Sequence, residues 1–465
     1  MRLPWERTLE TPEGVAKEEP AAKPSQKQSL WQLIRWTGPA LMVSIAYMDP
    51  GNYGTDIAAG AGYGYALLWA GWLASGMAML LQYLSGKLGI ATGHSLPELV
   101  RMSLKRNRYI IPYWLAAEAA AAATDLAEYL GTVIALNILF GVPLIYAATF
   151  GALDVILLLV MMTKRFRLIE QYFALLISVL VMGILYNLFV VRPDLVQTAY
   201  GSVVPGAPTS IVPGATTALA IVIGMIGATV MPHALFVHSW LTKNKMDMMG
   251  QKLNGDTSSR SMMDSIVSPD RTNHNHTLIE KLRMNGLHRR ETMIALGVAG
   301  VVNAGILLVA VPLFQGYGAN AGLSVNDFVA EIGRTYAPLV GTLFALTLLA
   351  SGLTSSALGT IAGQIVMEGL IGKRWNIWAR RVVTRVVNVF PTTIAILLGF
   401  SPLLLLVYSQ VILSLMIPLP MIPLVYYTSK TRFMGSLANR RITIALALLA
   451  VALILSFNVY FLAML

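Results

Sequence analysis

Cysteine is absent from the 465 residues, which excludes disulfides, thiolate metal sites and cysteine redox chemistry. Charge is scarce as well. Asp, Glu, Lys and Arg make up 12% of the chain against 56% hydrophobic residues, and the mean hydropathy is +0.64. Soluble domains carry roughly 25% charged residues, so an ordinary globular enzyme is excluded. The first 35 residues lack the apolar core of a signal peptide. Rich in Pro, Glu, Lys and Gln, they read as a disordered cytoplasmic tail. No H-E-x-x-H motif and no His-rich or Ser/His/Asp constellation is present.

What the chain has in abundance is long apolar runs. Eleven of them suit a bilayer core, which needs ~20 residues per helix. They lie near 36–58, 62–90, 110–138, 143–163, 170–191, 212–241, 291–314, 336–370, 382–399, 402–427 and 441–463. If these spans alternate in direction, every Lys and Arg except Arg192 and Arg334 falls in the loops or span ends of one side. That asymmetry places the N-terminus in the cytoplasm and the C-terminus outside. The net charge of +11 is therefore a matter of membrane orientation, and nucleic acid is not implied. The expectation is a multi-pass all-α protein of the plasma membrane, with a single transmembrane domain over 36–463.

Two of the spans contain helix breakers. Met48-Asp49-Pro50-Gly51-Asn52 interrupts the first and Met231-Pro232-His233 the sixth. Proline removes a backbone donor and clashes with the preceding turn, so both helices should be broken in mid-membrane. The broken spans lead two five-helix halves, about 36–191 and 212–427, and the helix at 441–463 is left over. Because five is odd, the halves insert in opposite orientation, and paired broken helices in inverted repeats point to a midplane substrate site. The longest hydrophilic insertion, the cytoplasmic loop 241–290, contains Met246, Met248, Met249, Met262, Met263, His274 and His276. Ser, Asn, Asp and Lys dominate it and no ligand spacing repeats, so it reads as a solvated linker.

The breaks carry metal-ligating chemistry. An intramembrane carboxylate costs at least ~2.5 kcal/mol and is a functional residue by default. Asp49 supplies charge and Asn52, three positions on, an amide oxygen; the Ala46 carbonyl lacks its intrahelical partner. On the other helix Met231 offers a thioether, with the Ala228 carbonyl one turn earlier. This mixed set suits a borderline divalent ion such as Mn²⁺ or Fe²⁺. His233, beside the break, is placed for proton handling. His238 is five residues on and does not form an i, i+4 zinc pair with it. In the third span Asp125 and Glu128 share a face, with Glu118 seven residues earlier on the same stripe. Buried carboxylates of this kind pair with cations or carry protons. Arg380 and Arg381, at the start of the ninth span, are the expected partners at the inner end. Gln410 and Asp56 are weaker candidates, the first as a supporting ligand and the second as an outer-vestibule charge or a helix-end carboxylate.

These residues resemble the Nramp family of proton-coupled divalent-metal transporters, including its bacterial manganese transporters. The resemblance extends over about 36–463. It rests on Ile45-Ala46-Tyr47-Met48-Asp49-Pro50-Gly51-Asn52, Thr124-Asp125-Leu126-Ala127-Glu128, Gly227-Ala228-Thr229-Val230-Met231-Pro232-His233, His238-Ser239, Ala350-Ser351-Gly352 and Ser409-Gln410-Val411. It implies a LeuT-like fold of eleven helices in 5+5 inverted repeats plus one. It also implies a secondary importer in which Asp49, Asn52, Met231 and the carbonyls of Ala46 and Ala228 hold the metal, joined by Gln410 in one conformation. The proton route it implies runs through Asp49, His233, Glu128 and Asp125 toward the basic pair on the ninth helix. Ala234 departs from the Asn many members carry after M-P-H, and the loop at 241–290 is unusually long. The expected partners are divalent metal ions, protons and the bilayer. No resident cofactor, obligate protein partner or enzymatic activity is expected. A magnesium-transporting relative should lack the soft ligand that Met231 provides, and a sodium-coupled amino-acid transporter would place Gly or Ser at position 49. A membrane enzyme would need a catalytic constellation that is not visible.

Overall fold

The computed structural model describes residues 43–44, 46–104, 106–151, 166–206, 218–253, 276–317, 325–373 and 375–464. The tail 1–35, the start of the first span, 152–165 of the fourth span and 254–275 of the hydrophilic insertion lie outside the described residues. Among the described residues the regular structure is helical, with no strand. In chain order, α1 (Pro50–Tyr63) passes through a 3₁₀ turn (Gly64–Leu67) into α2 (Leu68–Thr92), followed by α3 (Leu96–Leu104), α4 (Asn107–Phe140) and α5 (Leu144–Gly151). Then come α6 (Phe166–Val191), α7 (Leu195–Val203), α8 (Ala218–Val230), α9 (Pro232–Leu253), α10 (Leu278–Tyr317) and α11 (Val325–Thr335). The remainder is α12 (Pro338–Ile371), α13 (Ile377–Leu397), α14 (Pro402–Met416), α15 (Pro418–Ser429), the short α16 (Thr431–Met434) and α17 (Arg441–Met464).

Local chemistry sets the boundaries. Asp49 caps α1 by accepting the Asn52 N–H at 2.8 Å, and Pro50 occupies the first turn, where a missing donor costs nothing. α2, α4 and α12 each stop at a left-handed glycine, Gly93, Gly141 and Gly372. Seven helices among the described residues are long and apolar enough to cross a membrane, or eight if α6 and α7, bent by 119°, form one crossing. α12 lies along α4, α10 packs on α1 and α2, and α8 packs on α14.

Two stretches differ from the expected pattern. The span at 402–427 is divided at Ile417 into α14 and α15, because Pro418 cannot donate to the preceding turn. The insertion 241–290 is not a linker at its ends. α9 runs on to Leu253 and α10 begins at Leu278, twelve residues before the expected loop end. Met246 and Met284 are buried together with Ile90, and Lys245 pairs with Glu291 at 3.5 Å. His276 lies 3.8 Å from Asp247 and 3.7 Å from Glu280.

Candidate functional site

The two prolines free carbonyls in the same register. In a continuous helix the Ala46 carbonyl would accept from residue 50 and the Ala228 carbonyl from residue 232, and both positions are proline. At the second break Met231 has φ 46°, a left-handed conformation that costs a residue with a Cβ roughly 1–2 kcal/mol. Met231 is fully buried there and its N–H still reaches the Gly227 carbonyl at 3.3 Å.

Asn52 ties the breaks together. Its Nδ2 donates to Asp49 Oδ1 (2.9 Å), to the Tyr47 carbonyl (3.2 Å) and to the Ala228 carbonyl (3.2 Å). Its Oδ1 accepts from Thr229 Oγ1 at 3.1 Å and from Asn303 Nδ2 at 3.2 Å. Asn303 also donates to the Tyr47 carbonyl at 2.9 Å, and the Ser351 hydroxyl donates to the Met48 carbonyl. The unwound segment is thus fastened from α8, α10 and α12. Gln410, on α14, packs directly on the first break, and its carboxamide leaves no room for a Cβ on Gly51. Asp49, Asn52, Met231 and Gln410 are all buried. Asp49 Oδ2 and Gln410 Oε1 have no hydrogen-bond partner. Two unmatched acceptors, one of them a carboxylate oxygen, are costly in a buried site unless a cation completes them. Among the described residues no three His, Asp or Glu side chains converge as a metal cluster, so any cation here relies on the mixed oxygen and sulfur set.

His233, two residues beyond the second break, reaches the helix that carries the carboxylate stripe. Its Nδ1 lies 3.0 Å from the Thr124 hydroxyl, which sits next to Asp125 on α4. Glu128 is buried against Gly359, where an added Cβ would come within 2.8 Å of its carboxylate. Asp125 accepts from Asn388 Nδ2 at 2.7 Å and faces Arg385 at 4.0 Å. Glu118 accepts from Trp114 Nε1 at 2.9 Å and is ion-paired with Arg380. A cavity of about 160 Å³ runs beside this row, lined by Glu118, Asp125, Gly359, Thr360, Gly363 and Arg380. The order of the pairs, Glu118 with Arg380 and Asp125 with Arg385, makes α4 and α13 run parallel, as the alternation of spans requires.

Arg380 meets the inner end of the stripe at Glu118, and a further cation, Arg385, one turn beyond Arg381, faces Asp125. Arg381 lies on α13, and its side chain is outside the described residues. His238 is a packing residue, its Nδ1 2.9 Å from Gln82 Oε1 and its ring edge-on to His288. Asp56 is buried on α1 with its Oδ2 unpartnered. Thr229, Asn303, Thr124, Arg385 and Asn388 were not foreseen. Asn303 did carry a signal, as the one polar side chain in the apolar run Met293–Pro312.

Comparison with known proteins gives the family and the fold. The profile described as natural resistance-associated macrophage protein-like, Nramp, matches residues 40–464. A relative from Granulibacter bethesdensis named "Divalent metal cation transporter MntH" is 37% identical over 432 residues, covering 91% of this chain and 87% of the relative. The crystal structure of a manganese transporter from Eremococcus coleocola superposes with a TM-score of 0.74 at 31% identity, covering 93% of this chain and 87% of that one. The inward-facing conformation of Mhp1 aligns with a TM-score of 0.51 at 16% identity over 91% of this chain and 88% of that one, a likeness of fold alone. The fold is LeuT-like, and the chain belongs to the Nramp family.

Proposed function

We propose that this protein is a secondary active importer of divalent transition-metal ions, Mn²⁺ and Fe²⁺ among them, working by alternating access and coupled to proton movement. The observation that carries this reading is the pair of unmatched, buried acceptors, Asp49 Oδ2 and Gln410 Oε1, at a junction of two broken helices. Asp49, Asn52, Met231, Gln410 and the carbonyls of Ala46 and Ala228 hold the transported ion. Asp49 provides the formal charge; Asn52 and Gln410 add amide oxygens, and Met231 a soft ligand.

Arrival of a dication at Asp49 displaces its proton. The proton leaves through His233 and the Thr124 hydroxyl to Glu128 and Asp125, then along the stripe to Glu118, where Arg380 and Arg381 stand at the inner end. The 3.0 Å approach of His233 to Thr124 supports this order. The protein sits in the plasma membrane with its N-terminus in the cytoplasm and its C-terminus outside, the orientation that the Lys and Arg distribution favours.

Uptake of Mn²⁺ into proteoliposomes tests the reading. Asp49→Ala should abolish uptake while the protein remains folded and inserted. Normal uptake by that variant moves the site elsewhere.

A further inference from the structure

After Glu368 the chain contains no Asp or Glu, yet nine Lys and Arg follow. Arg380 and Arg385 find their carboxylates on α4. Four others, Lys430, Arg432, Arg440 and Arg441, cluster on the connection from α15 to α17 and are exposed. Beside them lies a cation from another part of the chain. Lys87, near the end of α2, is buried, with its Nζ 2.9 Å from Asn439 Oδ1 and 5.6 Å from the Tyr83 ring. No carboxylate stands against Lys87 among the described residues, and the Arg440 guanidinium is close enough to act on it electrostatically.

The neighbouring groups also lack acceptors. Asn439 is 9% exposed, and its Nδ2 has no partner. α17 begins at Arg441, so the N–H groups of its first turn point back toward the same place with no carbonyl to meet. An ammonium, an amide N–H₂ and an open helix N-terminus thus lie together with a guanidinium nearby, and no anion from the described residues stands against them. Positive-inside placement explains the sign of the exposed cations. It does not explain why a lysine is buried here against an amide whose nitrogen is left without an acceptor.

We propose that Lys87, Asn439 and Arg440 form a binding site for the phosphate of an anionic phospholipid headgroup in the leaflet at this end of the bundle, the cytoplasmic one in the orientation above. A phosphate brings what the site lacks: negative charge for two cations and oxygen acceptors for Asn439 Nδ2 and the α17 N-terminus. Its acyl chains then lie along α17, which is largely exposed. Free phosphate shares the headgroup chemistry but has no chains to hold it there.

Native mass spectrometry of the full chain in detergent, with phosphatidylglycerol or phosphatidylcholine added, tests the site. Phosphatidylglycerol should bind in preference. Lys87→Gln and Arg440→Gln should each weaken it about fivefold, equivalent to ~1 kcal/mol per basic group beside an anionic surface. Asn439→Asp, which supplies Lys87 with a carboxylate, should abolish it. Arg440 is exposed, so its variant carries the test even if Lys87→Gln fails to fold. Equal loss in Arg289→Gln, an exposed arginine on α10, would reduce the effect to diffuse surface charge and overturn the site. Displacement of phosphatidylglycerol by an equal concentration of inorganic phosphate would overturn the lipid assignment.

Discussion

Asn52 Nδ2 and the Ala228 carbonyl meet at 3.2 Å across 176 positions of sequence. The contact joins the two broken helices, and its geometry follows from the prolines. Pro232 leaves the Ala228 carbonyl without a helical donor, and Pro50 lets Asn52 turn toward it. In the proposed reading, a metal ion that takes the Ala228 carbonyl has to displace the Asn52 amide from it.

Met231 should report on both selectivity and backbone strain. Hard ions such as Ca²⁺ and Mg²⁺ prefer all-oxygen sites, so a thioether rejects them more than it attracts Mn²⁺. Met231→Ala should keep much of the Mn²⁺ uptake and gain inhibition by millimolar Ca²⁺. Continued indifference to Ca²⁺ would assign selectivity to site geometry. Because φ is 46°, Met231→Gly should melt above Met231→Ala by about 1 kcal/mol of stability. Within a helix the order would be the reverse.

The Asp125–Arg385 contact predicts an asymmetric set of variants. Both side chains are buried, and removing one partner of a buried pair costs about 3–5 kcal/mol. Arg385→Gln should therefore destabilise the protein more than Asp125→Asn with Arg385→Gln together. In proteoliposomes, Asp125→Asn or Glu128→Gln should reduce proton flux more than metal binding. Normal internal pH changes in both would make the stripe structural.

Outside the spans, α3 carries an acid-sensitive contact. Burial opposes the Glu98 charge, but Lys243 at 2.8 Å, the Ser95 N–H at 2.7 Å and His94 outweigh it and hold the carboxyl below its usual value. Burial lowers His94, partly offset by Glu98, while Lys243 lowers it further. Both groups bind protons more readily in the unfolded chain, so both contributions exist at neutral pH and are lost as pH falls. His94 should act first, below about 6.5, and Glu98 below about 4.3. Thermal melts from pH 7 to 4 should show His94→Asn removing the upper part of the loss and Glu98→Gln the lower part. Both groups are partly exposed, so salt should weaken the Glu98 effect.

Orientation is tested at the C-terminus. A reporter fused after Leu465 should be active if it requires the exterior and silent if it requires cytoplasm. The opposite result would remove one crossing and with it the inverted-repeat argument.

Local features of the sequence determined the helical membrane class, the positions of the two breaks and the residues Asp49, Asn52 and Met231 at them. Hydropathy needs only a window of one span, and a proline acts on the turn that contains it. The carboxylate stripe was equally legible, because three-residue spacing on one helix places side chains on one face. Its partners were legible only in part: Arg380, which meets Glu118, could be read from the sequence, and Arg385 could not. Whether Asp125 meets Arg381 or Arg385 depends on how far α13 slides along α4, and a shift of one turn exchanges the two without changing either helix. Asn303 and Thr229 belong to the same category: each lies on an apolar helix whose rotation is decided by packing against its neighbours. Only the tertiary structure brings them to the break, because interhelical register is set by side-chain fit over the whole contact and by no single motif.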